Sequence, residues 1–193
     1  MEKIYLASKS PRRAELLGRM GIPFEVCAAE VDEQVSGEPA ACVEELARRK
    51  ADAGAERVGA GWVLAADTLV FLDGMALGKP ENEEKARRML RALSGRSHQV
   101  LTGMCLRNAQ TGQCFVRHDG ACITFGNMSD EEICDYVASG EPLDKAGAYG
   151  IQGLGGQFIS RIEGDYYATV GLSLYGLRAL LRRAGLAETE NFL

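Results

Sequence analysis

Histidine is scarce in this chain. His98 and His118 are the only two, too few and too far apart for a histidine-based metal site. Six cysteines, at 27, 42, 105, 114, 122 and 134, include no Cys-x-x-Cys pair, which excludes zinc-finger spacing. No disulfide framework is expected at a length of 193 residues, because the apolar stretch in Met1–Ala7 is too short for a secretory signal. The thiols therefore read as reduced and core-buried, in a cytoplasmic protein. Long apolar runs are missing too: nothing approaches the roughly 18 residues that a membrane helix requires. Positive charge is not in excess, since 22 Lys and Arg face 27 Asp and Glu for a net charge of −5. That excludes a broad nucleic-acid footprint, so any anionic ligand must be held by a local basic cluster. Repeats and low-complexity segments are also absent.

What remains is ordinary globular material, 46% hydrophobic and 25% charged, with enough chain for a real core. Short apolar runs at Ile4–Ala7 and Phe24–Cys27 predict strands, and helical periodicity covers Pro11–Met20 and Pro39–Arg57. Trp62–Leu72 carries one or two strands, with another at Met75–Gly78 after an Asp73-Gly74 turn. Glu81–Leu93 reads as an amphipathic helix closed by Gly95. Strands follow at His98–Arg107 and Cys114–Phe125. Ser129-Asp130-Glu131-Glu132 has the form of a capping box and opens a helix through Val137. A strand at Phe158–Ile162 and a final helix at Gly171–Ala184 complete the pattern. Strand–helix units and hairpins occur together, which predicts an α/β fold with a mixed sheet.

Asp67 breaks the apolar run Trp62–Leu72 at its middle. An unpartnered carboxylate in such a setting costs several kcal/mol. A lysine, an arginine or a metal ion must therefore meet it, or it is poised for proton transfer. The bland alternative, a turn aspartate between two strands, lacks an adjoining Gly, Pro or Asn. Further chemistry gathers in three places. Ala7-Ser8-Lys9-Ser10-Pro11-Arg12-Arg13 joins a strand to a helix start, with Ser10 as N-cap, Pro11 at the first helical position and three cations nearby. This has the design of a phosphate cradle without Walker-type glycines. Asp32, Glu33, Lys50, Asp67 and Lys79 supply carboxylates for a hard divalent ion and lysines for phosphate charge. Asp144–Gly156 interleaves glycines with Tyr149, Ile151 and Leu154, which should pack, and Gln152 offers a donor and an acceptor to a base edge.

Those residues carry a resemblance over essentially the whole chain. Ser8–Arg13, Val31-Asp32-Glu33, Leu46–Ala51, Ala66-Asp67-Thr68, Gly78-Lys79-Pro80, Leu93-Ser94-Gly95 with His98, Thr102-Gly103 and Glu141–Gly153 match, in order, the Maf (septum-formation inhibitor) nucleoside triphosphate pyrophosphatases. The resemblance implies a single catalytic domain over 1–193, with an elongated mixed β-sheet, flanking helices and two α/β lobes around a central cleft, similar to inosine triphosphatases. It implies cleavage of a nucleoside triphosphate to monophosphate and pyrophosphate with Mg²⁺ or Mn²⁺, and a homodimer. By it, Asp67 is the proton acceptor and Glu33, Lys50 and Lys79 line the active cleft; Glu33 and Asp67 are further expected to share the metal. Arg12, Thr68 and Gln152 choose the base, while Ser8, Ser10, Arg13, Lys50 and Lys79 contact the substrate. Pro11-Arg12-Arg13, Asp67-Thr68 and Gly150-Ile151-Gln152-Gly153 resemble the dTTP/UTP branch rather than the 7-methyl-GTP branch. Ser173 departs from the family's usual proline, a change expected to touch the last helix start and not the chemistry. A non-catalytic, nucleotide-responsive regulator of cell division is the alternative from another class, and a nucleotidyltransferase is a second.

Overall fold

In the computed structural model, which describes residues 3–28 and 30–186, Trp62–Leu72 is one unbroken strand of 11 residues. The chain runs β1 (Ile4–Leu6), α1 (Pro11–Arg19), β2 (Phe24–Val26), α2 (Pro39–Val58), β3 (Trp62–Leu72), β4 (Met75–Leu77), α3 (Glu83–Leu93), β5 (Ser97–Asn108), β6 (Cys114–Phe125), α4 (Asp130–Ala138), β7 (Ile159–Gly164), α5 (Tyr166–Val170) and α6 (Leu174–Arg183). One seven-stranded sheet has the order β2-β1-β3-β5-β6-β7, with β4 paired to β3. β1 runs parallel to β2 and β3, placing Ile4 beside Phe24 and Trp62. β4 on β3 and β7 on β6 are antiparallel. The sheet is mixed, as the interleaved helices and hairpins require.

The chain forms two compact units, the first drawn from Met1–Asp67, Thr102–Asp119 and Gly171–Leu193, the second from Thr68–Leu101 and Gly120–Val170. In the first, small side chains let α2 lie close to the strands: Ala47, Ala51 and Ala55 pack with Ala7, Val63, Ala65 and Cys105. Gly103 is part of that closeness, since a Cβ there would lie 2.0 Å from the Val43 carbonyl oxygen of α2. Leu16 and Leu17 bury the inner face of α1, each contributing about 1.5–3 kcal/mol. In the second unit, Leu90 and Leu93 of α3 and Ile133 and Val137 of α4 pack on Ile123 and Phe125. His98, Phe125 and Tyr149 meet edge to face, with ring centroids 4.8–5.4 Å apart.

Local chemistry moved several boundaries. α3 starts at Glu83 rather than Glu81, because the Asn82 side chain accepts the Lys85 N–H at 2.9 Å. The last helix starts at Leu174, where the Ser173 hydroxyl accepts the Gly176 N–H at 2.8 Å. The serine that departs from the family's proline is thus itself a cap. The capping box forms as expected, with Ser129 and Glu132 each bonding the other's N–H. Helix α5 was not expected: Tyr166, Tyr167, Thr169 and Val170 favour strands, but Asp165 accepts the Ala168 N–H at 3.1 Å and starts a short helix. Cys27, Cys42 and Cys105 are buried as expected, whereas Cys122 is half-buried and Cys114 and Cys134 are exposed. Cys114 opens β6, and Cys134 lies off the buried Ile133–Val137 stripe of α4. No described helix is long and apolar enough to cross a membrane.

Candidate active site

β3 carries Asp67 into the interior. Val63, Leu64, Ala65 and Ala66 are fully buried, and Asp67 itself is only 7% exposed. The cation that meets it is Lys50. The buried stripe of α2 includes Ala47 and Ala51, so Lys50, one residue before Ala51, stands at the stripe's edge. Its Nζ donates to Asp67 Oδ1 and lies 2.7 Å from Glu33 Oε1. The Lys50 and Asp67 side chains are 14% and 10% exposed, against 62% for Glu33. The Lys50–Asp67 pair is therefore largely desolvated, while the Glu33 contact is screened by water.

Arg13 adds a second cation in the same unit. Its Nη1 donates to Ser8 Oγ at 3.1 Å and its Nε to the Gly171 carbonyl at 2.9 Å. Desolvation by burial lowers its pKa from the usual arginine value. The charge of Asp67 works the other way, Arg12 adds to the lowering, and Glu33 opposes it. Ser8, itself buried, also accepts the Ser10 N–H at 3.2 Å. Ser10 occupies the N-cap of α1 with Pro11 behind it, as expected, although its hydroxyl makes no capping bond. The turn is tied by Ser8 instead. Arg12 is exposed. Lys9 pairs with Glu30 at 3.3 Å in solvent.

In the second unit, Thr68 follows Asp67 along β3 and is half-buried, while Lys79 and Gln152 are exposed. The glycine-rich loop around Gln152 is organised by a residue to which sequence reasoning assigned no role. Glu141 accepts the Leu154 and Gly155 N–H groups at 2.8 and 3.1 Å and the Tyr136 hydroxyl at 2.8 Å. Tyr136 in turn accepts the Gly150 N–H at 3.1 Å. Burial pushes the Glu141 pKa up, but the Leu154, Gly155 and Tyr136 hydrogen bonds and the Lys145 charge outweigh it and hold the carboxyl below its usual value. Gly153 leaves the room this needs, because a Cβ there would lie 2.3 Å from Glu141 Oε2. The available signal was an acid ahead of a glycine run whose N–H groups need acceptors.

Among the described residues no group of three or more His, Cys, Asp or Glu is placed to hold a metal ion. Two carboxylates, those of Glu33 and Asp67, do converge on one cation, Lys50. That donor set suits a hard divalent ion such as Mg²⁺, which commonly takes one or two carboxylates and completes its shell with water and phosphate oxygens.

The family model for Maf-like proteins matches residues 3–184. This chain belongs to the Maf family. The match covers every site residue read from the sequence, Ser8 to Gln152. Among Maf relatives, the dTTP/UTP pyrophosphatase of Moorella thermoacetica is 48% identical over 188 residues, covering 96% of this chain and 97% of that protein. The dTTP/UTP pyrophosphatase of Symbiobacterium thermophilum is 49% identical over 187 residues, 96% of this chain and 95% of that one. Among solved structures, a nucleoside-triphosphatase (dITP/XTP pyrophosphatase) of Mycobacterium abscessus aligns with a TM-score of 0.49 at 17% identity, covering 94% of this chain and 95% of that one.

Proposed function

We propose that this Maf-family chain hydrolyses dTTP and UTP between the α and β phosphates, releasing the monophosphate and pyrophosphate. The single observation that carries the reading is the nearly buried Asp67 carboxylate, which shares the Lys50 ammonium with Glu33. A buried ion pair is a poor source of stability, because hydrophobic residues of similar volume often do as well or better. Its presence in the same unit as the half-buried Arg13 guanidinium, which acts electrostatically on Asp67, is what a site that handles charge requires. The relatives, dTTP/UTP pyrophosphatases each covered almost end to end, support the choice of substrate.

In this reading Asp67 orients the attacking water and takes its proton. Lys50 supplies the counter-charge that keeps the carboxylate in place. Arg13, Lys50, Lys79 and the α1 N-terminus at Ser8 and Ser10 neutralise charge growing on the phosphates. Glu33 and Asp67 would hold Mg²⁺ or Mn²⁺. A bound ion would supply Lewis-acid charge neutralisation at the phosphate oxygens and lower the pKa of its water. Arg12, Thr68 and Gln152 read the pyrimidine edge. Thymine and uracil differ by a methyl group, worth about 1 kcal/mol, so the base alone separates dTTP from UTP only weakly. The reaction belongs to the cytoplasm, and the working form is a homodimer, to be checked by sedimentation.

The test is a side-by-side assay of dTTP, UTP, CTP, 7-methyl-GTP and ITP with product analysis. Monophosphate and pyrophosphate from dTTP and UTP, with no added acceptor, are expected, and they argue against a nucleotidyltransferase. If 7-methyl-GTP is the best substrate, the reading of Arg12, Thr68 and Gln152 is wrong.

A further inference from the structure

We infer that Arg49 is a positioning residue for Glu33: it clamps the backbone on both sides of that carboxylate and so holds it on Lys50. The inference rests on the hydrolase reading above and extends it to a residue in neither the charge pair nor the phosphate cradle. Glu33 lies in the stretch between β2 and α2, where residues 30–38 form no helix or strand. A carboxylate on such a segment has no ladder to fix it, and its neighbours' carbonyls need donors from elsewhere. Arg49 is that donor. Its Nη1 bonds the Asp32 carbonyl at 3.1 Å and the Gln34 carbonyl at 2.9 Å, the residues immediately before and after Glu33.

The guanidinium is itself held. One turn back along α2, Glu45 accepts from Arg49 Nε at 2.9 Å, so the planar fork is oriented from one edge while the other reaches the loop. A further bond closes the same three residues from within: Asp32 Oδ1 accepts the Gln34 N–H at 2.9 Å. Glu33 thus projects from a segment tied at both flanks, with its Oε1 2.7 Å from Lys50 Nζ. Arg49 and Lys50 are consecutive, so successive side chains of one rigid helix hold the loop backbone and the loop carboxylate. Arg48, the residue before, directs its charge at Glu44 at 3.3 Å and at Glu45 at 4.0 Å rather than at the two loop carbonyls, and serves as the control.

The experiment measures steady-state dTTP hydrolysis with Mg²⁺ for the wild type, Arg49→Ala, Arg49→Lys, Arg48→Ala, Glu33→Gln and the Arg49→Ala/Glu33→Gln double variant. Residues that orient a site's ligands typically matter by roughly 10- to 100-fold, and that loss of kcat/KM is expected for Arg49→Ala. In the Glu33→Gln background the same change should cost little more, because the carboxylate it positions has already gone. Arg49→Lys keeps the charge but loses the Glu45-anchored fork, so it should resemble Arg49→Ala. Arg48→Ala should match the wild type. Equal losses in both backgrounds, full activity in Arg49→Lys, or no loss in Arg49→Ala each overturn the inference. Hydrogen exchange at Glu33–Val35 keeps the two readings apart. Faster exchange in Arg49→Ala, with no hydrolysis even by the wild type, overturns only the proposed reaction; unchanged exchange overturns the clamp.

Discussion

Replacing Lys50 with methionine removes the ammonium while keeping most of the stem, and leaves the Asp67 carboxylate without its direct partner. Both side chains are nearly out of water, at 14% and 10% exposure, so the loss belongs to the buried regime rather than the surface one. Removing one partner of a buried pair costs about 3–5 kcal/mol. Arg13 also acts electrostatically on Asp67 and takes up part of the lost attraction, which favours the lower end, about 3 kcal/mol. For a chain of this length each kcal/mol moves the unfolding midpoint by about 2–4 °C, so a fall of roughly 6–12 °C is expected. Glu33→Gln perturbs a partner that is 62% exposed and should change stability by less than about 1 kcal/mol. The assay is thermal and urea unfolding of Lys50→Met, Asp67→Asn and the double variant near neutral pH. The double variant should recover most of the loss, because no charge is left stranded. A Lys50→Met protein within about 1 kcal/mol of the wild type, with additive effects in the double variant, would refute the claim that this pair is desolvated.

Other expectations follow from groups away from the charge pair. Burial lowers the His98 pKa from 6.5 to about 4. Between those values the unfolded chain binds a proton that the native state refuses, so stability drops as pH falls from 6.5 towards 4, by up to about 3 kcal/mol. The slope of unfolding free energy between pH 7 and 5 should flatten in His98→Phe, and an unchanged slope would contradict the assignment. Gly103→Ala drives a methyl into the Val43 carbonyl, 2.0 Å away, and should cost about 3 kcal/mol by urea unfolding, the upper end for overpacking. Glu141→Gln keeps the shape but weakens the charge-assisted bonds to the Leu154 and Gly155 N–H groups. It should speed amide exchange at both residues and leave exchange in α2 unchanged.

The features legible in the sequence are those with a local signature. Strand structure over Trp62–Leu72 could be read, though one strand and two stayed open until the structure showed one, and the special position of Asp67 followed from its apolar neighbours alone. The α4 capping box and the mixed sheet were legible for the same reason. What sequence reasoning missed involves side chains bonding backbone that is distant along the chain. Glu141 on the 154–155 amides and Arg49 on the 32 and 34 carbonyls leave no periodicity, because the acceptor or donor is a peptide group that every residue carries. Helix α5 was hidden by its strand-forming residues. Ser10 and Pro11 start α1 as read, but the bonds from the Ser10 N–H and Arg13 to the Ser8 hydroxyl leave no local pattern that would have revealed them.

The central claim is that Asp67 acts in the attack of water on the triphosphate, and the Asp67→Asn variant tests it most directly. That substitution keeps size and polarity while removing the base, whose loss is worth about 10²- to 10⁴-fold in rate. With dTTP as substrate and binding followed separately, the account predicts turnover reduced by at least about 100-fold and nucleotide still bound. Near-normal turnover by Asp67→Asn would contradict it.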